Sequence, residues 1–110
     1  MADWKFDSTE QGLRTVFFDY EIESLCYLWS KNGEYASSRE VWDNVTKKLP
    51  ISRASIINSL NRMAEFGVLL SKETTGKGGH RGLYTTAMSE SDLKKYIANE
   101  LITSIKKNLA

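Results

Sequence analysis

The sequence predicts a mainly α-helical (α+β) fold in a single small domain of 110 residues. Apolar residues recur at helical spacing in four segments, and these segments are bounded by capping residues, glycine or proline. One glycine-rich stretch, residues 75–82, separates two short runs with strand character. The contents of 41% hydrophobic and 26% charged residues are typical of a folded soluble chain rather than a disordered one.

The first predicted helix spans residues 20–32. Asp19 is its expected N-cap, and Asn32-Gly33 ends it because both residue types favour turns. Cys26 lies on the apolar side, so a buried structural thiol is expected rather than a redox sensor. As the one cysteine of the chain, it excludes an internal disulfide and every multi-cysteine zinc site. The apolar stripe of this helix contains Ile22, Leu25, Cys26, Leu28 and Trp29.

A capping box predicts the start of a second helix over residues 38–48. Ser37 is expected to accept a hydrogen bond from the backbone N–H of Glu40, whose side chain returns to the N–H of Ser37. Leu49-Pro50 ends the helix, since proline disfavours helical geometry in the residue before it and has no N–H to donate. The buried face is expected to contain Val41, Trp42 and Val45.

A third helix is predicted over residues 53–66. Ser52 is its expected N-cap, and Gly67 stands where a left-handed residue is needed to end it. The turn that joins it to the second helix is about three or four residues long, which is the arrangement of a helix-turn-helix. In that motif the second helix of the pair enters the major groove of DNA.

A β-hairpin is predicted after the third helix. Residues 68–73 and 83–86 have strand character and flank residues 75–82, of which four are glycine. A tip of this composition cannot pack a core, but its basic side chains can contact a phosphate backbone. Together these elements predict a winged helix-turn-helix domain with a two-stranded β wing. A flexible hairpin with incidental basic residues is the alternative. The candidate wing contacts are Lys77, His80 and Arg81.

The outward face of the third helix carries the predicted contacts with double-stranded DNA. Ile56, Leu60 and Met63 define its buried side, and about 100° of rotation per residue places Asn58 and Asn61 opposite. Asparagine can form two hydrogen bonds with adenine, arginine can bind guanine or phosphate, and serine at a helix N-terminus can bind phosphate. An ordinary solvated face is the alternative. The candidates are Ser52, Arg53, Ser55, Asn58, Asn61 and Arg62.

Positive charge is concentrated in the same region, although the net charge is only +1. Residues 1–52 contain six Lys/Arg and nine Asp/Glu, whereas residues 53–82 contain five Lys/Arg and two Asp/Glu. Residues 83–110 contain four Lys/Arg and three Asp/Glu. Neutralisation of phosphates by Lys and Arg supplies most of the non-specific affinity for DNA. The five cations of residues 53–82 are therefore a small number for the DNA-binding surface of one chain. Two chains side by side would double it.

The last predicted helix spans residues 90–109 and begins after a Ser89 cap. Its apolar stripe lies outside a small core and therefore needs a partner. We expect the same helix of a second subunit, and packing against its own domain is the alternative. The expected dimerisation residues are Leu93, Tyr96, Ile97, Leu101 and Ile105.

These predictions divide the chain into three parts. Residues 1–18 form an N-terminal arm, which is either a short strand or irregular. Residues 19–87 form the winged-helix DNA-binding domain, and residues 88–110 form the C-terminal dimerisation helix.

The sequence argues against several function classes. No nucleophile and base pair stands out, and the glycine-rich tip matches neither a Walker loop nor a dinucleotide fingerprint, so an enzyme is not expected. His80 is the one histidine, which leaves no cluster for a metal, and no cofactor is expected. No apolar run approaches the roughly 18 residues of a membrane span, and the N-terminus is unlike a secretory signal. A cytoplasmic protein is expected.

Three stretches resemble the penicillinase-repressor family, the winged-helix repressors of β-lactamase and methicillin-resistance operons. FDYEIESLCYLW is similar to the Glu-x-Glu opening of that family, and ISRASIINSLNRMAEFGVL is similar to its recognition helix and following glycine. GLYTTAMSESDLKKYI is a looser match to the wing exit, because Thr86 replaces a proline. The resemblance covers about residues 17–98.

The resemblance implies a homodimeric repressor that binds an inverted-repeat operator. It places the third helix in the major groove, the wing on the DNA backbone, and the C-terminal helix between the subunits. The chain departs from the family in three respects. Its C-terminal region is shorter, its N-terminal arm is longer, and it lacks the paired cysteines of the copper-responsive branch. A winged-helix module that binds protein instead of DNA is the competing function.

Overall fold

The computed structural model describes residues 6–7, 9–76 and 79–109, with the side chains of 74–76 and 79–81 left undescribed. Within these residues, a 3-10 turn at Gly12–Thr15 precedes four helices and three strands. Each of the four predicted helices and the predicted hairpin is present. In chain order the elements are α1 (Asp19–Ser30), β1 (Ala36–Ser37), α2 (Ser38–Val45), α3 (Arg53–Glu65), β2 (Leu69–Gly76), β3 (Gly79–Thr86) and α4 (Glu90–Leu109).

The sheet has three antiparallel strands in the order β1-β3-β2, so the two-stranded wing gains a third strand at its base. Strand β1 is only two residues long, and it pairs Ala36 with Tyr84 and Ser37 with Leu83. The hairpin of β2 and β3 runs in register from the pair of Leu69 and Thr86 to that of Gly76 and Gly79. The third strand was not predicted, because two residues give no periodic pattern.

The predicted helix boundaries are confirmed where a side chain caps the backbone. Ser37 Oγ accepts from the N–H of Glu40 at 3.2 Å, and Glu40 Oε1 accepts from the N–H of Ser37 at 3.4 Å. Ser52 Oγ accepts from the N–H of Ser55 at 3.1 Å. Gly67 has a φ of +83°, the left-handed conformation that glycine adopts without strain.

The beginning of α1 and the end of α2 differ from the prediction. The N-cap of α1 is Phe18 rather than Asp19, which is the first helical residue. Helix α2 ends at Val45 rather than at residue 48, and Thr46 Oγ1 donates to the carbonyl of Trp42 at 2.8 Å. The indole N–H of Trp42 donates to the carbonyl of Ile51 at 2.9 Å, which fixes the turn between α2 and α3.

The described part of the N-terminal arm packs into the same core as the helices. Leu13, Val16 and Phe17 are buried, and the N–H of Phe17 donates to the carbonyl of Leu13 at 2.9 Å. The described residues of the arm are therefore irregular with one 3-10 turn, and they cover part of the domain. The apolar side chains of the core are Leu13, Val16, Phe17, Leu25, Leu28, Ala36, Val41, Val45, Ile56, Leu60, Met63, Phe66, Val68, Leu69, Tyr84, Leu93 and Ile97.

The apolar stripe of α4 is divided between two environments, which corrects the predicted dimerisation set. Leu93 is fully buried and Ile97 is 6% exposed, so both belong to the core of their own chain and cannot pack against a second subunit. Tyr96 is also held within the chain, since its hydroxyl donates to the carbonyl of Phe66. Leu101 is half-buried, and Ile105 is 56% exposed.

The expectation of a buried Cys26 is wrong, because its side chain is exposed. The buried stripe of α1 passes instead through Glu21, Ser24, Leu25 and Leu28, which places the thiol beside it. Partial desolvation and the carboxylates of Glu23 and Glu90 raise the pKa of the Cys26 thiol. The thiol is therefore protonated at neutral pH.

Candidate nucleic-acid interface

Helix α3 turns a polar face to solvent, as the sequence predicts. Its buried side consists of Ile56, Ser59, Leu60 and Met63. Ser55, Ile57 and Arg62 lie at the margins and are half-buried. The exposed residues of the helix are Arg53, Ala54, Asn58, Asn61 and Glu65.

The N-terminus of α3 places a positive side chain beside two serine hydroxyl groups. Ser52 caps the helix, and its hydroxyl also donates to Ser55 Oγ at 2.8 Å. Arg53, the first helical residue, is exposed. The N–H groups and the dipole at a helix N-terminus favour an anion, and a guanidinium beside them adds positive charge. The predicted phosphate contacts Ser52, Arg53 and Ser55 therefore lie together at one end of the helix.

A buried carboxylate connects α1 to the back of α3. Glu21 is fully buried, and its Oε1 accepts from the N–H of Phe18 at 3.0 Å. Its Oε2 accepts from Ser59 Oγ at 3.0 Å and from Arg62 Nη2. Two neighbouring elements thus supply the partners that a buried charge requires. The cluster fixes the position of α3 relative to α1.

Arg62 is engaged inside the protein on two sides. Besides its ion pair with Glu21, its guanidinium lies 5.8 Å from the centroid of the Phe66 ring, within the range of a cation–π contact. The side chain is 35% exposed. Its predicted contact with guanine or phosphate stays a prediction, and its observed contacts stabilise the packing of α3.

The two exposed asparagines of α3 differ in their surroundings. Asn61 Oδ1 accepts a hydrogen bond from the Tyr84 hydroxyl at 2.7 Å. Tyr84 is buried in strand β3, so the sheet holds the Asn61 amide in one orientation. Within the described part of the chain, no hydrogen bond restrains the Asn58 side chain. The two amides therefore differ in their hydrogen bonds to the rest of the domain.

The wing follows α3 as predicted, but its candidate contacts are described only in part. Lys77 lies outside the described residues, and so do the side chains of His80 and Arg81. Their backbones pair His80 with Thr75 and Arg81 with Thr74. Lys72, nearer the base of β2, lies 4.1 Å from the centroid of the Tyr35 ring. The predicted contacts at the tip of the wing stay predictions.

Sequence reasoning missed the roles of Glu21 and Tyr84. Glu21 precedes Leu25 by four residues and Leu28 by seven, which is the spacing of a single buried helix face. A carboxylate in that position signals a buried ion pair. Nothing in the sequence near Tyr84 signals its bond to Asn61, because the two residues are 23 positions apart.

The described residues contain neither a candidate metal site nor a candidate membrane-spanning helix. None of their His, Cys, Asp and Glu side chains form a group of three that could hold a metal ion. None of their helices is both long and apolar enough to cross a membrane.

No protein family model matches the chain, and no curated protein matches it. Solved structures do match. A structure of the DNA recognition and protein interaction domains of HOP2 is 25% identical, with a TM-score of 0.51, over 61% of this chain and 97% of that one.

Two further structures match over more of the chain. A possible transcriptional regulator from Methanosarcina mazei Go1 is 14% identical with a TM-score of 0.58, over 84% of this chain and 73% of that one. A PadR family transcription regulator from Clostridium difficile R20291 is 16% identical with a TM-score of 0.54, over 83% of this chain and 98% of that one. The fold is a winged helix. The resemblance to penicillinase repressors is supported at the level of this fold and not for that particular family.

Proposed function

We propose that the protein is a transcriptional regulator that binds double-stranded DNA through the exposed face of α3. The observation that carries this proposal is the placement of Asn58 and Asn61 on the solvent-facing side of α3, with the exposed Arg53 at the start of this helix and a β wing after its end. An α-helix fits the major groove of B-DNA, where asparagine and arginine can distinguish base pairs. The similarity in fold to two transcriptional regulators supports it. The HOP2 structure, which contains DNA recognition and protein interaction domains, supports DNA binding less directly.

Contacts with the DNA backbone are expected both from the start of α3 and from the wing. Ser52, Ser55 and the N–H groups at the start of α3 would bind one phosphate. Basic side chains of the wing, at Lys77, His80 and Arg81, would bind further phosphates. The buried Glu21 carboxylate holds α3 against α1.

We also propose that the protein acts as a homodimer joined by the distal half of α4. Ile102, Ile105 and Leu109 are exposed there, at spacings of three and four residues that form one stripe. In an antiparallel pairing centred near residue 103, Leu101 of each copy would face Ile105 of the other. The same register would place Glu100 opposite Lys106, so opposite charges would flank the apolar contact.

A two-fold symmetric dimer would present two copies of α3 to the two halves of an inverted repeat. Binding over a promoter would make the protein a repressor. The positive charge of residues 53–82, which is modest in one chain, would be doubled at such a site.

The experiment that tests DNA binding is a selection of duplexes from a randomised pool, followed by fluorescence anisotropy at several salt concentrations. We expect enrichment of a defined sequence and a linear fall of log affinity with log salt, because bound counterions are released from phosphates. The absence of duplex affinity at low salt would contradict the proposal. It would favour a winged-helix module that binds protein.

A further inference from the structure

We propose that an apolar groove between the N-terminal arm and α4 receives Leu109 of a second copy of the chain. This inference rests on the proposed homodimer, and it adds the arm to the interface that α4 forms. The groove, called the arm groove below, lies between the 3-10 turn and the middle of α4. The side chains along it include Leu13, Thr15 and Val16 of the arm and Ala98 and Leu101 of α4.

The arm groove has the size and the chemistry to hold one aliphatic side chain. Its volume is about 200 Å³. Protein cavities of about 150 Å³ with apolar walls hold one small apolar molecule such as benzene. A leucine side chain is of similar size, and its removal from water into the groove is favourable.

The apolar surface of α4 continues from the arm groove toward the end of the helix. Leu101 is the last α4 residue of the groove, and Ile105 and Leu109 follow at successive steps of four residues. Ile105 is 56% exposed and Leu109 is 81% exposed. One copy therefore carries both an apolar groove and an exposed apolar helix end.

The antiparallel register proposed above brings these two features together. With the pairing centred near residue 103, Leu109 of one copy lies opposite residue 97 of the other, at the level of Ala98 in the arm groove. Two-fold symmetry repeats the contact, so that each copy fills the groove of its partner. Both exposed helix ends are then covered.

The charges beside the arm groove are opposite to those beside the incoming leucine. On the arm side, the N–H of Asp7 donates to the carbonyl of Thr15 at 2.8 Å, and Thr15 Oγ1 donates to the carbonyl of Glu10 at 3.4 Å. Two acidic residues thus lie next to a groove residue. On α4, Lys106 and Lys107 shortly precede the leucine that enters the groove. This complementarity favours a second copy of the chain as the occupant.

Engineered cysteines test the contact directly in the full chain. In a Cys26→Ser background, Thr15→Cys combined with Leu109→Cys should form a disulfide between two chains under mild oxidation. A bond within one chain is excluded, because Leu109 lies about 12 Å along the helix axis beyond Leu101 and a disulfide needs Cα atoms within about 7 Å. Non-reducing electrophoresis and mass spectrometry identify the bond.

The matched control moves one cysteine to the other side of α4. Asn99 is exposed, and about 100° of rotation per residue turns it about 160° away from Leu101. Asn99→Cys combined with Leu109→Cys should therefore form no disulfide.

A change of size tests whether the leucine enters the arm groove. Ala98→Phe fills the groove from an exposed position and should raise the dimer dissociation constant roughly 5-fold to 150-fold. Asn99→Phe adds the same ring outside the groove and should leave the constant unchanged. Because Leu109→Ala makes room for the ring, Ala98→Phe combined with Leu109→Ala should dimerise more tightly than the product of the two single losses predicts. Analytical ultracentrifugation measures the constants, and thermal melts report the fold of each variant.

Two results would overturn the inference while the proposed homodimer stands. These are a dimer in which positions 15 and 109 form no disulfide, and losses from Ala98→Phe and Leu109→Ala that are independent of each other. A chain that stays monomeric at every concentration would contradict the inference and the proposed homodimer together. Affinity for the selected duplex, measured on the same samples, tests DNA binding separately.

Discussion

Helices α3 and α4 are both amphipathic, but they expose opposite kinds of surface. Helix α3 buries Ile56, Leu60 and Met63 and turns polar side chains outward. Helix α4 buries Leu93 and Ile97 in its first half and leaves Ile105 and Leu109 exposed in its second, Leu109 to 81%. An exposed polar face beside a wing fits nucleic acid, whereas an exposed apolar stripe fits another protein surface. We therefore propose DNA as the partner of α3 and a second copy of the chain as the partner of α4.

The largest effect is expected from charge placed on the two halves of α4. Ile97→Asp should destabilise the monomer by about 4 kcal/mol or more, because it buries an unpaired carboxylate. The matched change Ile105→Asp should leave the unfolding transition of the monomer nearly unchanged and should abolish dimerisation. Chemical denaturation and light scattering measure the two outcomes.

Equal effects of the two aspartates on stability would remove the distinction between the halves of α4. A dimer that persists in Ile105→Asp would place the interface elsewhere.

The next effect concerns the support of α3. Arg62→Ala should cost about 3 kcal/mol of folding free energy, since it leaves the buried Glu21 carboxylate without its charged partner. Arg53→Ala, which removes an exposed arginine from the same helix, is the matched control and should cost less than about 0.5 kcal/mol. Urea denaturation monitored by tryptophan fluorescence measures both. If the two variants are equally stable, the ion pair does not hold α3 in place.

The smallest effect separates the helix from the wing in DNA binding. Asn58→Ala should lose about 1–3 kcal/mol at particular bases, because base contacts carry specificity. Lys77→Ala should weaken binding to all sequences evenly and reduce the salt slope by about 1. Anisotropy titrations with the selected duplex and with single-base variants measure this difference. Identical behaviour of the two variants would contradict the assignment of helix and wing.

The parts of the fold that depend on neighbouring residues were predictable from the sequence. The capping box of Ser37 and Glu40, the Ser52 cap and the left-handed Gly67 are local devices, and the structure confirms them. Strand β1 could not be predicted, because its pairing with β3 joins residues far apart in the chain.

The sequence predicted which side of α3 faces solvent, but it did not predict the tertiary contacts of that helix. Helical periodicity placed Asn58 and Asn61 outward, yet it could not show that Tyr84 restrains one of them. The same periodicity placed Ile97 and Ile105 in one apolar stripe, although only Ile97 is buried. Periodicity does not show how far along α4 the rest of the domain packs against it. Tertiary packing decides which of the two is buried.

An NMR titration of the ¹⁵N-labelled chain with its selected duplex tests most directly whether α3 binds DNA. We expect the largest changes in amide chemical shift, relative to the free protein, at Arg53, Asn58 and Asn61 and in the wing. Residues 102–109 should show no change. Shift changes confined to the distal half of α4, with α3 unaffected, would contradict the assignment of α3 to DNA.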